Sequence, residues 1–222
     1  MSDHYQLIQQ CIDRAVTAEQ ARSRFRRSLH DTLRNLHRSI QLPQRDAPLH
    51  ITCFVIRYIQ VIPSWLERLD QICQAGGLDF RPIRELILHS FSEIPENQPH
   101  EHGLGSILDE AYLAHRTMEE INEILQPLCG TPLLPMDSMV ANLVVRELLG
   151  ETLAGQLDGL TDILLQRFEP VELDPAHLIS MILYKQRYED VPGEWPDFAR
   201  HMQIELCSPS LAALARQFDP AH

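Results

Sequence analysis

LGSILDEAYLAHRTMEEINEILQPL, residues 104–128, is the stretch that decides the fold class. Projected at about 100° per residue, Leu104, Ile107, Leu108, Ala111, Ala114, Met118, Ile121 and Leu125 form one apolar stripe, the pattern of a helix packed along one side. His115 and Asn122 fall inside that stripe, and Tyr112 and Glu119 lie on its edge, on the side nearest His115. Asp109, Thr117 and Glu120 project the other way, toward solvent. The polar residues of the stripe need partners, because a buried polar group without one costs free energy and an unpaired charge costs more.

The next segment supplies a packing partner. CGTPLLP (129–135) reads as a turn, and Asp137 is a fair N-cap for a helix with Met139, Val140, Leu143, Val144 and Leu148 on its apolar stripe. Glu147 falls near the middle of that stripe, and Glu151 stays on the same side one turn later. After Gly150 the apolar phase shifts to Leu153, Leu157, Leu160 and Leu164, which predicts a kink beside the two carboxylates in a helix reaching Phe168.

Tyr112, His115, Glu119, Asn122, Arg146, Glu147 and Glu151 therefore form a candidate interhelical pocket. Three explanations compete. A His–Glu or Arg–Glu network would only fix helix register. A pocket between helices would orient a small polar ligand. A metal site would use the i,i+4 pairs His115/Glu119 and Glu147/Glu151, one nitrogen and three carboxylates suited to Fe or Mn. The ExxH pairs of ferritin-like di-metal carboxylate proteins are absent.

Upstream, HITCFVIRYIQVI (50–62) is apolar nearly all round, as a central buried helix is. Its β-branched residues also suit a strand, but its length and its run into SWLERLDQICQAGG favour helix. Pro63 should kink or restart it, and Gly76-Gly77 should stop it. His50 and Arg57 are candidate partners for an inward Glu147.

Asp3 is placed to cap a first helix carrying Leu7, Ile8, Cys11, Ile12 and Ala15, which continues or restarts near Ala18 with Phe25, Leu29, Leu33, Leu36 and Ile40. Opposite that stripe lie Arg24, Arg27, Arg34 and Arg38. Residues 17–40 hold six arginines against Glu19 and Asp31, a local +4 in a chain of net charge −12. This is either a docking face for an acidic partner or phosphates, or a solvated face paired with the chain's own acidic helices. No aromatics interleave there for base stacking.

Pro82 suits the first turn of a helix running from Ile83 to Phe91. SEIPENQPHEHG (92–103) reads as a surface loop, and a loop preorganises the His100–Glu101–His102 trio poorly as a metal clip. Asp174-Pro175 opens AHLISMILYKQRYE, VPGEWP (191–196) breaks it, and DFARHMQIEL and SLAALARQF follow as short helices.

With 222 residues, 44% hydrophobic, 9 glycines and 6% aromatics, the chain reads as all-α. The expected architecture is an antiparallel helical bundle of roughly seven to nine helices. Residues 1–168 form the main domain, with 50–75, 104–128 and 137–168 at its centre, and 169–222 a C-terminal helical extension packed on it.

The negative charge argues against general nucleic-acid or anionic-membrane binding. Five cysteines without a CxxC pair fit a reducing cytoplasm. MSDHYQLIQQ carries no secretory pattern, and Arg57 interrupts the best apolar window, so no membrane span is expected. GLGS (103–106) and the His30-Asp31 pair lack the surrounding motifs that would give them chemistry.

The expected function is a cytoplasmic, non-enzymatic module binding a small ligand or a protein through a polar pocket around His115 and Glu147. The alternative is an Fe- or Mn-dependent oxidase- or oxygenase-like enzyme on a similar bundle. A homodimer is a further partner expectation.

Overall fold

A computed structural model describes residues 3–37, 40–42, 45–92, 103–130, 132–134, 138–166, 168, 174–189 and 205–206. Among the described residues the fold is an all-α helical bundle of nine helical segments: α1 (Asp3–Arg22), α2 (Arg24–Asn35), α3 (Ala47–Gln60), α4 (Ile62–Ala75), α5 (Arg81–Ser92), α6 (Leu108–Cys129), α7 (Ser138–Leu149), α8 (Glu151–Leu165) and α9 (Pro175–Glu189). A 3-10 turn at Leu104–Ser106 precedes α6. Two short strands, β1 (Ile40–Gln41) and β2 (Glu205–Leu206), pair antiparallel.

The stretch that decided the fold class is the axis of the molecule. α6 packs against α3, α4, α5, α7, α8 and α9, so it is buried on more than one side. Thr117, expected to face solvent, is fully buried and donates its hydroxyl to the Leu113 carbonyl at 2.7 Å. That local bond is why a threonine can sit on the second buried face. Asp109 and Glu120 are half-buried rather than solvated. α6 carries Pro127 in its last turn and ends at Gly130, whose φ of 71° lets its N–H reach back to the Gln126 carbonyl at 2.9 Å.

α3 and α4 run on as one 29-residue helix, Ala47–Ala75, long and apolar enough to cross a membrane by length and composition. Here Ile51, Phe54, Val55, Tyr58, Ile59, Ile62 and Leu69 are buried in the bundle core. Pro63 has no N–H for the Ile59 carbonyl, so the hydrogen-bond ladder is interrupted where α3 gives way to α4. Val61 N–H turns back to Ile59 instead. Gly77 ends the run with a φ of 69°, which side chains avoid.

Ser23 separates α1 from α2, a few residues beyond the restart expected near Ala18. Glu19 makes the corner: its carboxylate, only 4% exposed, accepts Phe25 N–H at 2.9 Å and Arg26 N–H at 3.0 Å. Those are orphan donors at the start of α2, so one buried acid caps the next helix.

Other boundaries differ from expectation. The second helix stops at Asn35, not Ile40, because Ile40 joins β1 and is buried there. Glu205–Leu206, expected in a helix, is the strand opposite. Cys11 and Cys73 are buried, whereas Cys53 is exposed. Asp137 as a cap, Arg38, the 100–102 trio and the last helix, SLAALARQF, lie outside the described residues.

α9 lies across the end of α4. Met181 is buried, and a Cβ on Gly76 would come 2.2 Å from its sulfur. Tyr184 donates its hydroxyl to Gln71 Oε1 at 3.0 Å.

Candidate functional site

Two adjacent residues of α6 point into different environments. His115 is fully buried, its ring 3.9 Å centre-to-centre from Tyr58 and edge-on to Trp65 at 5.6 Å. Its Nε2 donates to the Tyr58 carbonyl at 2.7 Å, on the turn that Pro63 loosens. A carbonyl only accepts, so this bond fixes the tautomer with the proton on Nε2. Burial, opposed by that hydrogen bond, pulls the imidazole pKa from 6.5 to about 4. His115 is therefore a neutral core ring that pins α6 to the α3–α4 junction.

Arg116, the next residue, turns toward α7 and α8. Its Nη1 bonds Glu119, its Nη2 bonds Glu120 at 2.5 Å, and its Nε bonds Asp158 Oδ1 at 3.3 Å. Asp158, from α8, also accepts the Tyr112 hydroxyl at 3.0 Å and Nη1 of Arg146 from α7. The same Glu119 oxygen, Oε2, also accepts Asn142 Nδ2 at 2.7 Å, and Asn142 Oδ1 accepts the Tyr58 hydroxyl at 2.6 Å. One connected polar chain thus runs Tyr58–Asn142–Glu119–Arg116–Asp158, with Tyr112 and Arg146 branching from its end.

Around that chain lies a solvent-open cleft of about 340 Å³, lined by Tyr112, Arg116, Glu119, Met139, Asn142, Leu143, Arg146 and Asp158. Burial would lower the Arg116 pKa, but Glu119 and Glu120 outweigh it and leave the guanidinium more firmly charged than usual. The Tyr112 hydroxyl and Asp158 do the same for Arg146. Burial raises the pKa values of Tyr58 and Tyr112, so both phenols stay protonated. The guanidiniums and phenols therefore present fixed donors and fixed charge rather than protons to exchange at neutral pH.

Of the residues expected here, Tyr112, Glu119 and Arg146 do line the cleft. His115 lies behind it in the core. Asn122 is 8% exposed and serves a different purpose: its Oδ1 accepts the N–H groups of Leu133 at 2.6 Å and Leu134 at 3.0 Å, clamping the turn after α6. Glu147, expected in mid-stripe, is exposed and accepts His37 N–H at 3.3 Å. Glu151 is exposed as well.

Glu147 turns outward for a physical reason. SMVANLVVRELL is apolar on more than one face, so periodicity alone does not set its phase, and the buried face is Ser138, Ala141, Asn142, Val144 and Val145. At Gly150, with a φ of 83°, the run does more than kink: α7 ends and α8 starts afresh, stopping at Leu165 rather than Phe168. His115, Glu119, Glu147 and Glu151 are not brought into one group. Among the described residues no three His, Cys, Asp or Glu side chains cluster to hold a metal ion.

Helical spacing does not single out Arg116, Asn142 or Asp158 as cleft residues. Arg116 sits four residues after Tyr112 and three before Glu119, and Asp158 follows the inward Leu157, so each carried a local signal. Their pairing across three helices had none. Compared with protein-family profiles, with curated proteins and with solved structures, the chain matches none of them.

Proposed function

We propose that this protein is an interaction module whose cleft between α6, α7 and α8 receives an amphipathic helix of a partner protein, with one carboxylate of that helix meeting Arg146. One observation carries the reading. Met139 and Leu143, 66% and 45% exposed, stand one turn apart on the wall that also bears Arg146. Exposed large apolar side chains beside a charged anchor are what a docked helix covers: apolar residues one turn apart on the thioether and leucine, a carboxylate on the guanidinium. Arg146 gives Nη1 to Asp158 and has further N–H donors for a ligand. The prebuilt Asp158 network holds that guanidinium in place, so little ordering is needed on binding.

The test is selection from a displayed library of random helical peptides against the whole protein. Enriched sequences should repeat apolar residues at i, i+4 and i+7 with Asp or Glu alongside. Leu143→Glu and Arg146→Glu should each weaken them by at least about tenfold. Leu86→Ser, on the exposed side of α5, should leave binding unchanged. Failure to enrich such peptides, or binders indifferent to Leu143→Glu, would overturn the reading.

A further inference from the structure

A second cleft, about 430 Å³, opens where α2 and α3 begin, lined by Ser23, Arg26, Arg27, His30, Asp46 and Pro48. Three features distinguish it from an ordinary solvated basic face. First, Arg27 is held in place without being neutralised. Its Nε donates to the Ser23 carbonyl at 3.1 Å and its Nη2 to the Arg22 carbonyl at 2.6 Å. Those carbonyls fix the guanidinium and bring no net negative charge, and a guanidinium has five N–H donors, so most remain for a ligand.

Second, the start of α2 is already satisfied by the Glu19 carboxylate, so attraction for an anion here comes from side chains and not from the helix end. Third, the one carboxylate lining the cleft, Asp46, lies 3.9 Å from Arg26 Nη2 and is 69% exposed. Such a long, wet pair offsets only part of the Arg26 charge. Two guanidiniums and an exposed imidazole thus face one partly screened acid, in a chain whose net charge is −12.

The size and charge select the ligand. The acidic remainder of the chain repels an extended polyanion, and no lining residue is a Phe, Tyr or Trp on which a base would stack. A compact dianion matches two guanidiniums better than a single carboxylate does. We infer that this cleft is a receptor for one phosphate monoester, held between Arg26 and Arg27 with His30 at its edge. The cleft is separate from that between α6, α7 and α8, so either assignment stands or falls without the other.

The experiment is a titration of the full chain with inorganic phosphate, with O-phosphoserine and with a phosphoserine peptide, against chloride at matched ionic strength. Arginine side-chain N–H resonances are the readout. Saturable shifts of Arg26 and Arg27 are expected, and Arg26→Gln should weaken binding by about tenfold. Asp46→Asn should tighten it by roughly threefold. Arg27→Gln also removes bonds at the α1–α2 corner, so it is read together with its melting curve, whereas Arg26→Gln and Asp46→Asn alter only partly or fully exposed side chains. Equal binding of all three phosphates supports a small-molecule ligand, and much tighter peptide binding supports a phosphorylated protein segment. Shifts that chloride reproduces, or an affinity untouched by both Arg26→Gln and Asp46→Asn, would refute the site.

Discussion

His115 and Arg116 share a peptide bond and almost nothing else. The imidazole is sealed between aromatic rings, stays neutral and gives its one proton to a backbone carbonyl. The guanidinium stays charged and spreads its donors over three carboxylates at the wall of an open cleft. A rotation of about 100° around one helix separates a group used for register from a group kept in reach of solvent. The difference teaches that a polar residue on a core helix says little until its partner's solvation is known. Neutral groups can be closed in once bonded, whereas charged ones favour the wet boundary between helices.

That contrast can be broken from either side. The largest effect should follow His115→Ala, which empties a packed ring site and strips the Tyr58 carbonyl of its donor. A loss of about 3–4 kcal/mol in urea denaturation is expected. A loss below about 1 kcal/mol would mean that the ring is not a structural pin.

The acid limb of the stability profile sharpens the same point. The folded-state pKa of His115 is depressed to about 4, below the 6.5 of the free side chain. The unfolded chain therefore takes up this proton first as pH falls. The stabilising effect of a neutral His115 is complete above about pH 6.5 and is lost progressively down to about pH 4, by about 3 kcal/mol in all. Glu110 works in the opposite direction, because burial and Asp109 raise its pKa. Subtracting the profile of His115→Gln isolates the histidine, and a difference curve flat between pH 6.5 and 4 would contradict its burial.

On the cleft side, Asp158→Asn removes the charge shared by Arg116 and Arg146 while keeping one acceptor. Its side chain is 28% exposed, so water compensates in part, and about 1–2 kcal/mol is expected in thermal unfolding. Smallest of all should be Glu147→Gln, within about 0.5 kcal/mol, because an exposed carboxylate meeting one backbone N–H at 3.3 Å contributes little. A loss above about 2 kcal/mol there would restore the inward placement that periodicity suggested.

Much of the fold was legible, and for reasons that can be named. The stripe of residues 104–128 marks a core helix, Pro63 and Gly77 mark the junction and end of the α3–α4 run, and the phase shift at Gly150 marks a kink that the structure carries further, into a break. The short β1–β2 pairing was not legible, since two-residue strands have no period to detect. The candidate cleft was half legible. Tyr112 and Glu119 lie on the edge of the α6 stripe and Arg146 is a local partner for an inward Glu147, whereas Asn142, on the buried face of α7, carries no such signal. Asn122 shows the limit from the other direction. Its burial was foreseen, but its carbonyl oxygen serves a turn eleven and twelve residues on, and nothing in helical spacing distinguishes a clamp from a ligand contact.

Gly76 has a consequence of its own. With no side chain there, the Met181 thioether drops into the gap, so the absence of a single methyl acts as a keyway that locates α9 along α4. The Tyr184–Gln71 bond, three residues on from Met181 and five back from Gly76, holds the same two helices at 3.0 Å. An alanine at 76 would lift the key and leave α9 free to drift along its track. A contour that looks like a mere helix stop is, in this molecule, the datum from which its last described helix is measured.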